Sequence, residues 1–222
     1  MKSTWKVYGS VLGVMSLFGA MSLPAGANLI QNGSFEDSIY SSVATWETLY
    51  VGSTAIAGWT AIGTGKASDS IDYVGGYWEA SHGVRSVDLD GRAASGGVEQ
   101  AFGTNPGTTY HVSFDIAGNP DWIGIKTMAV SAVGEATQSA IFSFDNTGYS
   151  HDSMGWTTVE WFFVADAPST TLRFVSLTEA NKGYGMALDN VVVHVPVPGA
   201  VLLGVLGLGG SGGLLRWRRR TA

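Results

Sequence analysis

Apolar and polar residues alternate in short stretches along the middle of the chain. The clearest stretch is 110–116, in which every second residue is apolar and the residues between them are polar. A second stretch, 86–90, places Val87 and Leu89 between polar residues. A two-residue period puts the apolar side chains on one face of a β-strand and the polar ones on the other. We therefore predict half-buried strands at both places.

Similar short runs recur toward the C-terminus, at 127–133, 141–144, 158–164, 171–177 and 188–195. Gly, Asn, Asp, Pro or Ser separates most of them, as is typical of turns. Between residues 28 and 195 there is no long helical period and no convincing internal repeat. The pattern predicts an all-β domain, an antiparallel sandwich of the jelly-roll kind.

The first 27 residues have the pattern of a secretory signal helix. Lys2 and Lys6 precede the apolar stretch 7–23, and the run 24–27 supplies the small residues that a signal peptidase accepts. The mature chain then begins at or near Asn28. The alternative is a retained N-terminal membrane helix, which is disfavoured because the apolar stretch is short and no stop-transfer pattern follows it.

Residues 196–222 have the order of a membrane anchor. A breaker at 196–199 precedes the uncharged run 200–215, and a cluster of arginines follows around Trp217. The positive-inside bias keeps the arginines in the cytoplasm, with a transmembrane helix through the inner membrane and the rest of the chain outside it. This order also fits a sorting signal that is later cleaved; the alternative is a plain single-pass anchor that stays in the membrane.

This tripartite tail resembles the PEP-CTERM sorting signals of Gram-negative bacteria that make extracellular polysaccharide. Pro-Val-Pro stands at 196–198 where the family has Pro-Glu-Pro. The resemblance implies processing by an exosortase. It also implies a final location at the outer surface or in the extracellular matrix, after at least transient anchoring at the inner membrane.

The region between the two ends is strongly acidic. Residues 28–195 hold all eighteen acidic residues and only six basic ones, so their formal charge is −12. Such a domain repels phosphate backbones, which excludes nucleic acid as a partner. The chain has no cysteine, so no disulfide stabilises it. Neutral sugars, divalent cations and cationic surfaces remain as ligand classes.

Several motifs follow one another through this region. They are NLIQNGSFED (28–37), DYVGGYWEASHGVRSVDLDG (72–91), FDIAGNP (114–120), MGWTT (154–158) and ALDNVVVH (187–194). In this order they resemble the choice-of-anchor C family, whose members join a galactose-binding-like β-sandwich to varied surface anchors. The resemblance implies a sandwich of carbohydrate-binding character, without naming a ligand.

Two carboxylates stand at the ends of this domain. Glu36 follows the first strand motif and Asp189 begins the last, so pairing of the terminal strands would bring them close together. Two adjacent carboxylates are costly unless a cation lies between them, and calcium accepts carboxylate and carbonyl oxygens. In the carbohydrate-binding modules that the sequence resembles, the corresponding residues bind a structural calcium, helped by a backbone carbonyl that falls near Ser34. The alternative leaves Asp189 in turn hydrogen bonds and Glu36 in solvent.

Aromatic residues in loops are the candidate sugar-binding residues, because flat rings stack on the C–H faces of sugars. Tyr77 and Trp78 follow a pair of glycines, and Trp122 follows a loop in which Asn119 and Asp121 offer hydrogen bonds to hydroxyls. These five residues are the predicted ligand-binding set. The alternative is that the rings are buried, which is the commoner fate of large aromatics.

Two other tryptophans and two aspartates are predicted to be structural. Trp59 and Trp161 lie in apolar surroundings and are expected in the core. Asp88 and Asp90 stand in the sequence DLDG, which lacks the remaining ligands of an EF-hand. We expect both to be solvated strand carboxylates.

Three classes of function fit these observations. The histidines have no metal-ligand spacing such as HExxH, and no GxSxG elbow is present, so a polysaccharide-active enzyme is the least favoured class. A structural matrix protein without sugar binding is the second class. We favour a non-catalytic carbohydrate-binding protein linked to extracellular polysaccharide. A glycan array separates the last two classes, and turnover of matrix polysaccharide tests the first.

Overall fold

The computed structural model describes residues 26–42, 44–92, 95–178 and 183–196. Residues 1–25 of the predicted signal peptide (1–27) and residues 197–222 of the predicted anchor (196–222) lie outside these ranges. In the part of the chain that is described, no helix has the length and apolar character needed to cross a membrane.

The described residues form eleven strands in two sheets. The strands are β1 (Trp46–Tyr50), β2 (Thr60–Gly63), β3 (Ser70–Val74), β4 (Ser86–Asp88), β5 (Gly96–Gly103), β6 (Thr109–Gly118), β7 (Ile125–Val133), β8 (Thr137–Asp145), β9 (Thr157–Val164), β10 (Ser169–Ser176) and β11 (Met186–His194). One sheet has the order β1-β3-β4-β11-β6-β9 and the other β2-β5-β10-β7-β8. Neighbouring strands are antiparallel.

The two sheets pack face to face, which confirms the predicted all-β antiparallel sandwich. Phe114 on β6 lies 5.1 Å from Phe174 on β10, measured between ring centroids, and both rings are buried. Trp59 fills the space beside them, with its centroid 6.2 Å from that of Phe174 and its Nε1 donating to the carbonyl of Asn32 at 2.9 Å. The prediction that Trp59 lies in the core is confirmed. Trp161 on β9 is only partly buried and packs against the rim of the core.

The seven predicted strands are present, as β4 and β6 to β11. Four others, β1, β2, β3 and β5, have no clear sequence signal. All five residues of β3 are buried, because its outer face is covered as well as its inner one. The strand β5 begins with two glycines, which sequence patterns assign to turns.

The two ends of the domain pair with each other, as predicted. Leu29 N donates to the carbonyl of Val193 at 2.9 Å, and Val191 N donates to that of Gly33 at 2.8 Å. The side chain of Asn28 bonds Val191 O and Val193 N at 3.0 and 2.9 Å. A Cβ atom at Gly33 would lie 1.9 Å from Val191 O, so this approach requires glycine. The first segment is a run of turns along β11 rather than a strand.

Candidate functional site

A cleft of about 390 Å³ opens on the outer face of the six-stranded sheet. The register pairs Trp46 with Val74 and Thr48 with Asp72 across β1 and β3, and Asp72 with Asp88 across β3 and β4. These side chains therefore share one face of the sheet, opposite the face that forms the core. Aromatic rings and polar groups line the cleft together: Trp46, Tyr77, Trp78 and Tyr184, with Thr48, Asp72, Asp88, Arg92, Asn119 and Asp121.

The loop 75–84 lies across this face and forms one side of the cleft. Ser81 Oγ donates to the carboxylate of Asp115 on β6 at 2.5 Å, and His82 N donates to that of Asp189 on β11 at 2.8 Å. Trp78 Nε1 donates to the hydroxyl of Ser86 on β4 at 2.8 Å. The loop is thereby attached to three adjacent strands.

Tyr77 and Asp121 form the polar rim of the cleft. The Tyr77 hydroxyl donates to Asp121 Oδ2 at 2.7 Å, and His151 Nε2 lies 3.0 Å from Asp121 Oδ1. The hydrogen bond to Asp121 raises the pKa of Tyr77 to about 12, with burial as the second cause. The ring of Tyr77 lies against Trp46, with centroids 4.7 Å apart. Both residues of the rim were in the predicted ligand-binding set.

Trp78 differs from the expectation for an exposed loop aromatic. It does lie in a loop, but only 6% of it is exposed and it belongs to the hydrophobic core cluster. The loop folds back over β4, so the ring points toward the sheet instead of toward solvent. Trp78 contributes to the cleft mainly by supporting the loop that bounds it.

The remaining predicted ligand residues have different surroundings. Asn119 is buried, and its amide donates to Asp88 Oδ2 at 2.8 Å while its Oδ1 accepts from Asp121 N at 3.0 Å. It therefore orients the carboxylate of Asp88 and fixes the backbone at Asp121. Trp122 is 56% exposed and lies outside this cleft, with its ring nearly parallel to that of Tyr184. The structure thus brings four of the five predicted residues to one cleft and leaves Trp122 beside it.

Three buried carboxylates carry no local sequence signal: Asp72 and Asp88, which line one wall of the cleft, and Asp90, which lies close to both. The expectation that Asp88 and Asp90 are solvated is wrong, since they are 1% and 2% exposed. Asp88 accepts backbone N–H groups of Asp90 and Gly185 at 2.9 and 3.0 Å, and Asp72 accepts the hydroxyl of Thr48 at 2.7 Å. Burial raises the pKa of all three aspartates, and the Asp90 carboxylate raises that of Asp88 further.

A lysine of the opposite sheet balances part of this charge. Lys126 on β7 points into the sandwich, is 2% exposed, and donates from Nζ to the carbonyl of Trp122 at 2.8 Å. Burial lowers its pKa, and the carboxylates of Asp88 and Asp90 oppose that shift. A lysine at the start of a strand gave no signal of such a role, because its partners lie far away in sequence.

The predicted calcium ligands come together around one turn. Glu36 Oε1 accepts from Val84 N and Arg85 N, both at 2.9 Å, and Asp189 Oδ2 accepts from His82 N in the same turn. Asp189 is fully buried, and burial raises its pKa to about 7.

Ser34 is half-buried in the segment that pairs with β11. Among the residues described, no group of three or more His, Asp or Glu side chains is arranged to hold a metal. An ion at this turn would therefore need backbone carbonyls in addition to the two carboxylates. The calcium site stays a prediction.

The raised pKa values of the buried aspartates predict how the stability of the fold depends on pH. Their pKa values are higher in the folded chain than in the unfolded one, so above about pH 4 the folded state binds more protons, and the free energy of unfolding falls as pH rises. We expect the free energy of unfolding of Asp88→Asn to decrease less steeply with pH than that of the wild type, by up to about 1.4 kcal/mol for each pH unit. Urea unfolding between pH 4.5 and 7.5 measures it, with the exposed Asp152→Asn as control. Equal slopes for wild type and Asp88→Asn would contradict the prediction.

Two kinds of known protein are similar to this chain. Halomucin of Haloquadratum walsbyi is 33% identical over 169 residues, which are 75% of this chain and 2% of halomucin. The chain therefore spans a very small part of that relative's length. The solved structure of TmCBM61 in complex with β-1,4-galactotriose is 13% identical, with a TM-score of 0.46, over 77% of this chain and 100% of that one. CBM35 from Paenibacillus barcinonensis is 19% identical, with a TM-score of 0.43, over 68% of this chain and 99% of that one.

A family model also matches the domain directly. It covers residues 28–194, which include all the strands described above and the cleft on the six-stranded sheet. The description of that family is protein of unknown function (DUF642). Because the match extends over most of the chain, this protein belongs to the DUF642 family.

Proposed function

We propose that this chain is an exported, non-catalytic carbohydrate-binding protein, and that the cleft beside the loop 75–84 binds the sugar. One observation carries the proposal: aromatic rings and hydrogen-bonding carboxylates line the same cleft. Its volume of about 390 Å³ lies within the range of small-molecule sites.

The lining suits the two sides of a sugar. The faces of sugar rings carry C–H groups, for which Trp46, Tyr77 and Tyr184 offer apolar contact. The hydroxyls are hydrogen-bond donors, for which Asp72 and Asp121 offer acceptor oxygens. Because Tyr77 is already hydrogen-bonded to Asp121, the rim is organised before a ligand arrives, which lowers the entropic cost of binding.

The arrangement of carboxylates favours binding over hydrolysis. Glycosidases place two carboxyl groups on opposite sides of the scissile bond, about 5 to 9.5 Å apart. Asp72 and Asp88 are cross-strand neighbours on one wall of the cleft, and both accept hydrogen bonds from protein side chains, Thr48 and Asn119. Both carboxylates therefore lie on the same wall of the cleft, whereas hydrolysis requires one on each side of the glycosidic bond.

Trp46 and Tyr50 provide a matched pair of variants. Both lie on the outer face of β1 and are 42% and 54% exposed, but only Trp46 lines the cleft. We expect Trp46→Ala to weaken glycan binding about three- to tenfold, the worth of one aromatic contact, and Tyr50→Ala to leave it unchanged.

A glycan array followed by calorimetric titration of the strongest ligand measures this effect. Thermal melts confirm that both variants remain folded. If the wild-type protein retains no glycan, the proposal is wrong and a purely structural matrix role replaces it. Equal binding by the two variants would place the sugar outside the cleft.

We also propose that the domain is displayed at the outer surface or in the extracellular matrix of a Gram-negative bacterium. The breaker, apolar run and arginine cluster of 196–222 support anchoring at the inner membrane, and their resemblance to PEP-CTERM signals supports exosortase processing. The resemblance to the choice-of-anchor C family supports a galactose-binding-like jelly roll joined to such an anchor. The partner would then be extracellular polysaccharide.

Removal of residues 201–222 tests the anchor. We expect the truncated protein to be released in soluble form, because the acidic domain has no other evident affinity for membranes. Fractionation of exporting cells, with the full chain alongside, gives the measurement. A truncated protein that still sediments with membranes would contradict the assignment.

A structural calcium ion is the third part of the proposal, with Glu36, Asp189 and the Ser34 carbonyl as ligands. Its support is that both carboxylates lie at one turn where the chain ends meet. Burial of Asp189 disfavours its charged form, and a bound cation would offset that penalty.

Thermal melts with calcium and with excess chelator test the ion. At one hundred times the dissociation constant, calcium should stabilise the fold by about 2.7 kcal/mol, which raises Tm by several degrees. Asp189→Asn should lose most of this response, whereas Asp152→Asn, an exposed carboxylate elsewhere, should keep it. Identical wild-type melts in the two conditions, with no residual metal, would end the calcium proposal.

A further inference from the structure

A second cleft adjoins the first on the side of β7. Its volume is about 330 Å³, and Trp122, Ile125, Leu177 and Tyr184 are among the residues that line it. Tyr184 also lines the first cleft. Tyr184 therefore borders both clefts, and a ligand long enough to extend past it from the first cleft would reach residues of the second.

Four of the residues that line the second cleft are solvent-exposed apolar side chains. Trp122, Ile123 and Ile125 are 56%, 68% and 66% exposed, and Leu177 is 45% exposed. Exposed apolar side chains are normal when scattered, but a contiguous group beside a cleft marks an interaction surface. The ring of Trp122 is nearly parallel to that of Tyr184, at 13° and 6.4 Å between centroids.

The backbone beneath Trp122 is held by buried groups, although its ring is exposed. Its carbonyl accepts from Lys126 Nζ at 2.8 Å and from Asn146 Nδ2 at 3.0 Å. Lys126 and Asn146 are 2% and 1% exposed. An aromatic ring on a backbone held in this way loses little conformational freedom when a ligand contacts it, which is the property of an organised binding surface.

We infer that the two clefts bind one continuous glycan chain, which passes Tyr184 and continues over Trp122. The ligand class is therefore a polysaccharide segment of several sugar residues, rather than a monosaccharide or the tip of a chain. The inference rests on the proposed function of the first cleft. Because Tyr184 borders both clefts, we favour one glycan chain over a separate protein partner as the ligand of the exposed apolar residues around Trp122.

Affinity as a function of chain length tests the inference. Xylan, galactan, mannan and β-glucan are first screened by affinity electrophoresis, and oligosaccharides of two to six residues from each retained polysaccharide are then titrated by calorimetry. We expect the Kd of the wild type to fall at least about tenfold from two to six residues, as the second cleft becomes occupied.

Trp122→Ala should act only on the long ligands. We expect it to raise the Kd of the hexasaccharide about three- to tenfold and to leave that of the disaccharide within about twofold. Phe162→Ala is the matched control, because Phe162 on β9 is 54% exposed and lines neither cleft. It should change neither value.

The outcomes separate the two proposals. If the Kd does not change with chain length, or if Trp122→Ala affects all lengths equally or none, the chain-spanning inference is wrong. The sugar site in the first cleft then stands, and the rim around Trp122 belongs to another partner. If no polysaccharide is retained and no oligosaccharide binds, the proposed function fails and the inference fails with it.

Discussion

Burial of carboxylates on the outer face of the six-stranded sheet is the constraint on which the site depends. Asp72, Asp88, Asp115 and Asp189 come from four adjacent strands, and all four are at most 8% exposed. Each of them accepts hydrogen bonds from side chains or backbone groups that reach it from elsewhere in the chain. Ser81 and His82 of the loop 75–84 bond two of these carboxylates, Asp115 and Asp189, so the contacts that hold the loop on the sheet also fix the side of the cleft that the loop forms.

Lys126 extends this constraint to the second sheet. A buried ammonium group is unfavourable by itself, and here it lies near Asp88 and Asp90 and bonds the carbonyl of Trp122. One side chain therefore links the acidic base of the first cleft to the backbone of the second. Replacing it with an apolar residue would alter both places, although they lie on different sheets.

Much of the fold follows from local patterns, whereas much of the site does not. The strand β6 alternates because only its inner face is covered along most of its length, and that is what a two-residue period reports. The same logic fails at β3 and β4, where segments from elsewhere in the chain reach the outer face: Thr48 bonds Asp72, and Asn119 and the backbone of Gly185 bond Asp88. Their alternation with apolar neighbours is identical to that of solvated carboxylates. Tyr77 and Asp121 were predicted because glycine-rich loops are themselves a local signal, but their contact depends on the tertiary fold.

The pairing of the chain ends has a mechanical consequence. A pull applied at the C-terminal end of the domain enters through β11, which lies between β4 and β6 inside the six-stranded sheet. Hydrogen bonds between antiparallel strands run across the strand direction, so tension along β11 loads them in shear and they resist together. The segment beginning at Asn28 is hydrogen-bonded to the end of the same strand, and these bonds must also break before β11 can leave the sheet. A pull on this end is thus borne by bonds that yield as a group instead of opening one after another.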